Sequence, residues 1–261
     1  MNLIAIDIGN SNINIGLLLK SQEQFVKSIP GTDINKLKKC LKSSWGKIPV
    51  AKRSKEGKRD GVIVVSSVKP LWTKVIQNIV KQELGEKILI IGKNIPYPIG
   101  MGIKETDKIG ADRVICAAAA YAVVERAVVV ADFGTAVTID LVDDRGVFDG
   151  GTIFPGFEAS AKALKDNTAQ LPQVKVSRPT MPFGKNTSDA INCGLYYSAV
   201  GALEEIIRRY AEKLGTWPRT VITGRGAEII KDDCEFIDTY VPNLVIKGIA
   251  LAYRRWLESK E

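Results

Sequence analysis

The chain contains no histidine. That absence removes histidine-based catalytic triads, cysteine–histidine dyads and histidine metal ligands. Proton transfer near neutral pH must then fall to carboxylates, lysines, tyrosines or metal-bound water. Cysteine is scarce too: Cys40, Cys116, Cys193 and Cys234 lie far apart and form no C-x-x-C pair. A zinc ribbon is excluded, and reduced, mostly buried thiols in a cytoplasmic protein are expected. No run approaches the roughly eighteen consecutive apolar residues of a membrane span. The first residues lead straight into an apolar strand with no basic n-region or cleavage site, so no secretory leader is expected.

What is present suits a globular protein of 261 residues, 45% hydrophobic and 25% charged, long enough for two domains with separate cores. The net charge is +8, but much of it sits in one stretch, 47–61, with Lys47, Lys52, Arg53, Lys55, Lys58 and Arg59. No aromatic follows Trp45 in that stretch. It reads as a solvated loop, and nucleic acid is not the expected partner.

Strands are expected at about 3–8, 13–19 and 25–30, then a lysine-rich helix over 33–44. "GVIVVSSV" at 61–68 is a continuous apolar run, the pattern of a strand covered on both faces. Leu71, Val75, Ile76, Ile79, Val80 and Leu84 have helical spacing, and "EKILIIG" is a further strand. The order β-β-β-α-β-α-β then begins again. "AVVVADFG", "AVTIDLVDD" and "GVFDGGTIFPG" give three strands, followed by helices at 157–166 and 186–214. After these come the strand "RTVITG", a helix at 227–233, a short strand near 236–238 and a last helix over 243–258. An alanine-rich helix from Ala111 joins the halves, so a duplicated domain is expected, divided as 1–117 and 118–261.

Both copies turn after their first strand on Asp-x-Gly: Asp7, Ile8, Gly9, then Asn10 and Ser11; and Asp132, Phe133, Gly134, then Thr135. Glycine lets the backbone turn tightly and brings N–H groups to a ligand, while the Asn, Ser and Thr side chains add hydrogen-bonding groups. A single such turn is explained as a β-hairpin. As a pair in a duplicated fold they suit a polyphosphate gripped from both sides, with Asp7 beside a hydrated Mg2+. Neither a Walker G-x-x-x-x-G-K-[ST] nor a G-x-G-x-x-G follows the first strand.

The arrangement resembles the actin-like ATPase and sugar kinase superfamily, whose two ribonuclease-H-like α/β domains, with mixed sheets flanked by helices, close over ATP. Within it, the chain is similar to type III pantothenate kinases. The resemblance rests on "DIGNSN" at 7–12, "GADR" at 110–113, "DFGTAVTID" at 132–140, "GGTIFPG" at 150–156, "TAQLPQV" at 168–174, "GKNT" at 184–187 and "PNLVIKGI" at 242–249, in that order. It implies a cytoplasmic, homodimeric enzyme that phosphorylates pantothenate with ATP in the first step of coenzyme A synthesis. It further implies that Asp7, Ile8, Gly9, Asn10, Ser11, Asn12, Ile13 and Asn14, with Thr135, bind ATP, Asp7 holding magnesium. Asp112 would be the base, with Gly110, Ala111, Arg113 and Thr187 around the substrate, Thr187 from the neighbouring subunit. Asp132 would hold a monovalent cation, K+ or NH4+.

Asp112 by itself is equally a helix N-cap, and Arg113 a solvent-facing ion partner. The first turn of a helix and Arg113 are both expected to favour the ionised form of Asp112, keeping it a weak base. The "AAAA" at 117–120 reads as a close helix contact with the domain or with another subunit, and Cys116 and Cys193 as core. Two segments depart from the family. The tyrosine and proline usual before "GADR" are replaced by Lys104, Glu105, Thr106 and Asp107, leaving Tyr97 as the nearest upstream aromatic. A glycine of the adenosine turn is Arg225 in "TGRG", which would either obstruct the nucleotide or stack on adenine. Two rivals remain: a kinase of another small hydroxylated acid or sugar, and a non-catalytic regulatory relative.

Overall fold

The computed structural model describes residues 1–51, 57–106 and 108–260, which form two compact units. In the first unit, β1 (Leu3–Ile8), β2 (Asn12–Leu19), β3 (Gln22–Pro30), β4 (Val62–Ser67) and β5 (Ile88–Ile90) make a sheet ordered β3-β2-β1-β4-β5. The first three strands are antiparallel neighbours, whereas β1, β4 and β5 run parallel. The parallel crossovers contain α1 (Ile34–Lys47) between β3 and β4 and α2 (Pro70–Leu84) between β4 and β5. α1 starts where Asp33 accepts the Lys36 N–H at 2.9 Å, and α2 ends on Gly85 in the left-handed region, φ +70°.

Alternation along β1 sends side chains to two cores. Ile4, Ile6 and Ile8 pack with Leu37, Leu41 and Trp45 of α1 and Ile76 and Val80 of α2. Leu3 and Ala5 face Ile115 of α3 (Ala111–Val124) and Ile246, Ile249 and Ala252 of α7 (Leu244–Glu258). β4 divides the same way, Ile63 and Val65 against Val64, so its apolar run is covered on both faces as its sequence predicts. Each such aliphatic side chain contributes about 1.5–3 kcal/mol on full burial.

The second unit repeats the plan. β7 (Val128–Phe133), β8 (Ala136–Val142), β9 (Val147–Pro155), β10 (Arg219–Thr223) and β11 (Thr239–Tyr240) give the order β11-β10-β7-β8-β9, with β6 (Gly100–Met101) added parallel to β9. Parallel and antiparallel pairings match those of the first sheet strand for strand. α4 (Phe157–Asp166), α5 (Thr187–Leu214) and α6 (Ala227–Ile230) complete the unit. Tyr196, Leu203 and Ile207 of α5 pack with Val129, Ala131 and Phe133.

The units are not continuous in sequence. Residues 1–99, 105–119 and 245–261 form the first, and 100–104 and 120–244 the second. The expected division, 1–117 and 118–261, therefore differs most at the C-terminus, because α7 buries its apolar face in the core beneath β1 and β4. The last short strand lies at Thr239–Tyr240 rather than 236–238. Phe236 and Ile237 pack on the core, and pairing with β10 begins only at Asp238, whose N–H donates to the Thr220 carbonyl at 3.0 Å and whose carboxylate accepts the Thr220 N–H at 2.7 Å. The helix expected over 227–233 stops at Ile230.

All four cysteines are free and buried. Ala117, Ala118, Ala119 and Ala120 are buried within the chain itself, which removes them from any contact with another subunit. In the basic stretch, Arg59 donates to the Gly46 carbonyl at 2.9 Å and to that of Ile48. Lys52, Arg53 and Lys55 lie outside the described residues. No described helix is long and apolar enough to cross a membrane.

Candidate active site

β1 and β4 run parallel and end side by side, placing Asp7 in register with Ser66 and, across the antiparallel partner β2, with Asn14. The two-residue period puts these three on the face that packs toward α3 and α7. Asp7 is 6% exposed, and its Oδ2 accepts the Asn14 side-chain N–H at 3.0 Å. Ser66 is fully buried, and its hydroxyl has no hydrogen-bond partner among the described residues. A buried hydroxyl left unsatisfied costs on the order of 1–3 kcal/mol, so an orphan beside a carboxylate marks a place for a ligand.

Past Asp7 the backbone reverses in a tight turn. The Gly9 N–H donates to the Asn12 carbonyl at 3.1 Å, and the Gly31 N–H to the Ser11 carbonyl at 3.1 Å. Asn10 and Ser11, at the tip, are exposed. Ile8 and Ile13 instead fill the core and support the turn from behind.

Asp112 reaches the same strand ends from α3. The Val68 N–H donates to the Ile8 carbonyl at 3.1 Å, extending β4 beside the turn. Gly110 packs on Val68: a Cβ there would stand 3.5 Å from Val68 Cγ1 and 2.5 Å from Asp112 Oδ1. Glycine is thus required for the carboxylate to lie over this edge. Ala111 is buried, and Asp112 Oδ1 accepts the Arg113 N–H at 2.9 Å.

Burial is the largest influence on Asp112 and raises its pKa above the ordinary carboxylate value, against the opposing N–H and charge of Arg113. The weak, strongly ionised base expected from the helix position is therefore corrected. Desolvation outweighs the helix end and the guanidinium, and Asp112 is a better proton acceptor than its sequence context implies. Tyr97 completes the group. Its phenol is pushed up by burial and then by the Asp112 charge, so it stays protonated at neutral pH. Of the segment before Gly110, Asp107 lies outside the described residues.

The second unit repeats the turn. Asp132 is in register with Thr138 and Thr223, the twins of Asn14 and Ser66. Gly134 donates its N–H to the Ala136 carbonyl at 3.1 Å, and Gly156 to the Thr135 carbonyl at 3.0 Å, as Gly9 and Gly31 do in the first copy. Thr135 is exposed at the tip.

In "TGRG" the left-handed position belongs to Gly224, φ +88°, where a Cβ would collide with Asp132 Oδ1 and the Phe133 carbonyl. Arg225 is exposed and is not among the residues with positive φ. The arginine therefore imposes no backbone strain, because the neighbouring glycine absorbs the reversal. Thr187 is exposed at the first position of α5, behind Asn186, which caps the helix by accepting the Asp189 N–H at 2.9 Å.

The first unit thus brings together Asp7, the 8–12 turn, Asn14, Gly110, Asp112 and Arg113, while Asp132, Thr135 and Thr187 belong to the second. Sequence reasoning passed over Ser66. The signal for Ser66 was a run of apolar residues that turns polar as it ends parallel to the Asp7 strand. Among the described residues no three acidic or cysteine side chains cluster as a self-sufficient metal cage.

The sequence profile of the family described as Type III pantothenate kinase matches residues 3–209. A curated Type III pantothenate kinase of Brevibacillus brevis is 34% identical over 257 residues, covering 97% of this chain and 98% of its own length. Among solved structures, a conserved Campylobacter jejuni protein assigned to the Baf family of transcriptional activators matches with TM-score 0.62 and 19% identity, over 97% of this chain and 98% of that one. MreB 5 of Spiroplasma citri, bound to AMPPNP, matches with TM-score 0.50 and 10% identity, over 100% and 99%. At such identities the structures speak for the fold alone: two mixed sheets flanked by helices.

Proposed function

The chain belongs to the type III pantothenate kinase family, and from that premise we propose that it transfers the γ-phosphoryl group of ATP to pantothenate. The product is 4'-phosphopantothenate, in the first step of coenzyme A synthesis. The observation that carries the reading is the convergence of Asp112 and the Asp7 turn on the ends of two adjacent parallel strands. Phosphoryl transfer demands mainly positioning and charge neutralisation, with one group to receive the alcohol proton.

In this reading the exposed Asn10 and Ser11 at the tip of the first turn contact the phosphates, and Thr135, from the matching turn of the second unit, is the further ATP contact that the family motif implies. The alcohol oxygen of pantothenate is oriented by Asp112 and attacks the γ-phosphorus. The bond to the β-phosphate oxygen breaks, ADP leaves, and the hydroxyl proton passes to Asp112. Arg113 is suited to the pantothenate carboxylate, which a guanidinium can bind in bidentate fashion.

Magnesium fits Asp7: a carboxylate and an orphan hydroxyl of Ser66 are hard oxygen ligands, and this ion takes its remaining ligands from water and phosphate. When bound, it would neutralise phosphate charge. A monovalent cation, K+ or NH4+, is assigned to Asp132, whose carboxylate lies with the Phe133 carbonyl against Gly224, two hard oxygens of the kind such an ion takes. We further assign a cytoplasmic homodimer whose sites are completed by Thr187 of the partner subunit, with no membrane or nucleic-acid partner.

The test couples ADP release to a visible readout, with pantothenate compared against a panel of small alcohols, with and without K+. Pantothenate-dependent ADP release with formation of the phosphate ester is expected. Turnover of another alcohol in preference to pantothenate would replace this substrate assignment, and no ADP release with any alcohol would end the kinase reading.

A further inference from the structure

Lys69 follows β4 and precedes Pro70, the first residue of α2. A residue before proline is held away from the helical region, and Lys69 is extended, φ −127° and ψ 93°. The Lys-Pro pair therefore fixes the backbone from which the side chain leaves. Two further bonds steady it: its N–H donates to Ser67 Oγ at 3.0 Å, and Ser67 Oγ in turn receives the Thr73 hydroxyl at 2.7 Å.

From that anchor the side chain crosses to the Asp7 turn, where Nζ donates to the Asn10 carbonyl at 2.5 Å. An ammonium has three donors, and no carboxylate among the described residues pairs with this one. The first turn of α2 holds no acidic residue either, so the positive end of that helix adds to the same potential. Ordering a lysine against a neutral carbonyl gives up side-chain entropy, which contact with an anion would offset.

The charge balance names the anion. Asp7 and Asp112 place two carboxylates at this strand edge. The phosphates of ATP remain anionic even with magnesium. A neutral turn of N–H groups does not offset that sum, whereas a compact ammonium at its tip does, in the manner of a point charge on phosphate.

We propose that Lys69 is a phosphate-contacting residue of the nucleotide site, its ammonium moving from the Asn10 carbonyl to a β- or γ-phosphoryl oxygen when ATP binds. This assignment rests on the nucleotide reading above and adds to it a residue outside the family motifs in this chain. It also predicts where the discrimination lies: in the terminal phosphates, not in the adenosine.

The experiment titrates wild type, Lys69→Met and Lys69→Arg, as full-length proteins, with a non-hydrolysable ATP analogue, ADP, AMP and adenosine in the presence of Mg2+. Loss of one charge-assisted hydrogen bond should weaken the triphosphate analogue roughly tenfold or more in Lys69→Met. Adenosine and AMP should bind as in wild type, and Lys69→Arg should recover most of the loss. Equal affinity of wild type and Lys69→Met for the triphosphate overturns the assignment while leaving the nucleotide site intact. Equal weakening of all four ligands also overturns it, since Lys69 would then only brace the turn. A wild type that binds none of them removes the nucleotide reading and this assignment together.

Discussion

Replacing Asp112 by asparagine separates chemistry from stability, because the structure sends the two in opposite directions. Asparagine keeps the oxygen that accepts the Arg113 N–H at 2.9 Å and nearly the same volume against Gly110. It cannot take a proton. Turnover should fall roughly a hundredfold or more, the usual scale for a lost general base, with ATP affinity unchanged. Stability follows a different sign. Burial raises the folded-state pKa of Asp112 above that of the unfolded chain, so the folded state binds the proton more tightly. Stability from this group is therefore present below its unfolded pKa and is lost as pH rises through the folded one. At neutral pH the charged, desolvated carboxylate is a net cost, and Asp112→Asn should melt higher than wild type. Each pKa unit relieved is worth about 1.36 kcal/mol, or roughly 3–5 °C in a chain of this size. The assays are steady-state turnover and thermal unfolding on the same preparations. The same logic places the acid limb of kcat/KM above an ordinary aspartate. Arg113→Met should move that limb to higher pH, because it removes a charge that lowers the Asp112 pKa. Near-normal turnover in Asp112→Asn would remove the residue from the mechanism, and a clearly lower melting temperature would refute the burial argument.

Asp7→Ala should abolish Mg2+-dependent transfer, since the buried carboxylate beside Ser66 would be lost. Activity that survives with a normal Mg2+ response would place the metal elsewhere. Turnover should rise with K+ and fall in Na+ or choline buffers. Gly224→Ala, which forces a side chain against Asp132 Oδ1 at φ +88°, should abolish that response and destabilise the fold by about 1–3 kcal/mol. Cation-independent wild-type rates would count against the Asp132 site. Mixing inactive Asp112→Asn with inactive Thr187→Arg under subunit exchange should restore part of the activity, because one site of each mixed dimer holds both native residues. A fully active monomer in sedimentation would end the shared-site proposal.

The sequence by itself determined the repeat and the turns. The meander β1-β2-β3 and its twin β7-β8-β9 follow from short-range alternation and from the Asp-x-Gly reversals, both local properties, and the second sheet duplicates the first down to the register of Asp7 and Asp132. Asp112 was legible as a candidate from its motif, though not its proton affinity. That depends on what covers it, and burial is a sum over residues distant in the chain. Membership of the last helix was equally invisible: its apolar face suits any core, and only packing against β1 and β4 assigned it to the first unit. The strand expected at 236–238 went astray for a related reason, since apolar residues there fill a core instead of pairing. Arg225 left obstruction and stacking on adenine both open, because the sequence does not say which residue of "TGRG" takes the positive φ. Lys69 and Ser66 have no motif at all. They reach the Asp7 turn through a parallel pairing of strands more than fifty residues apart, a relation that only the folded chain creates.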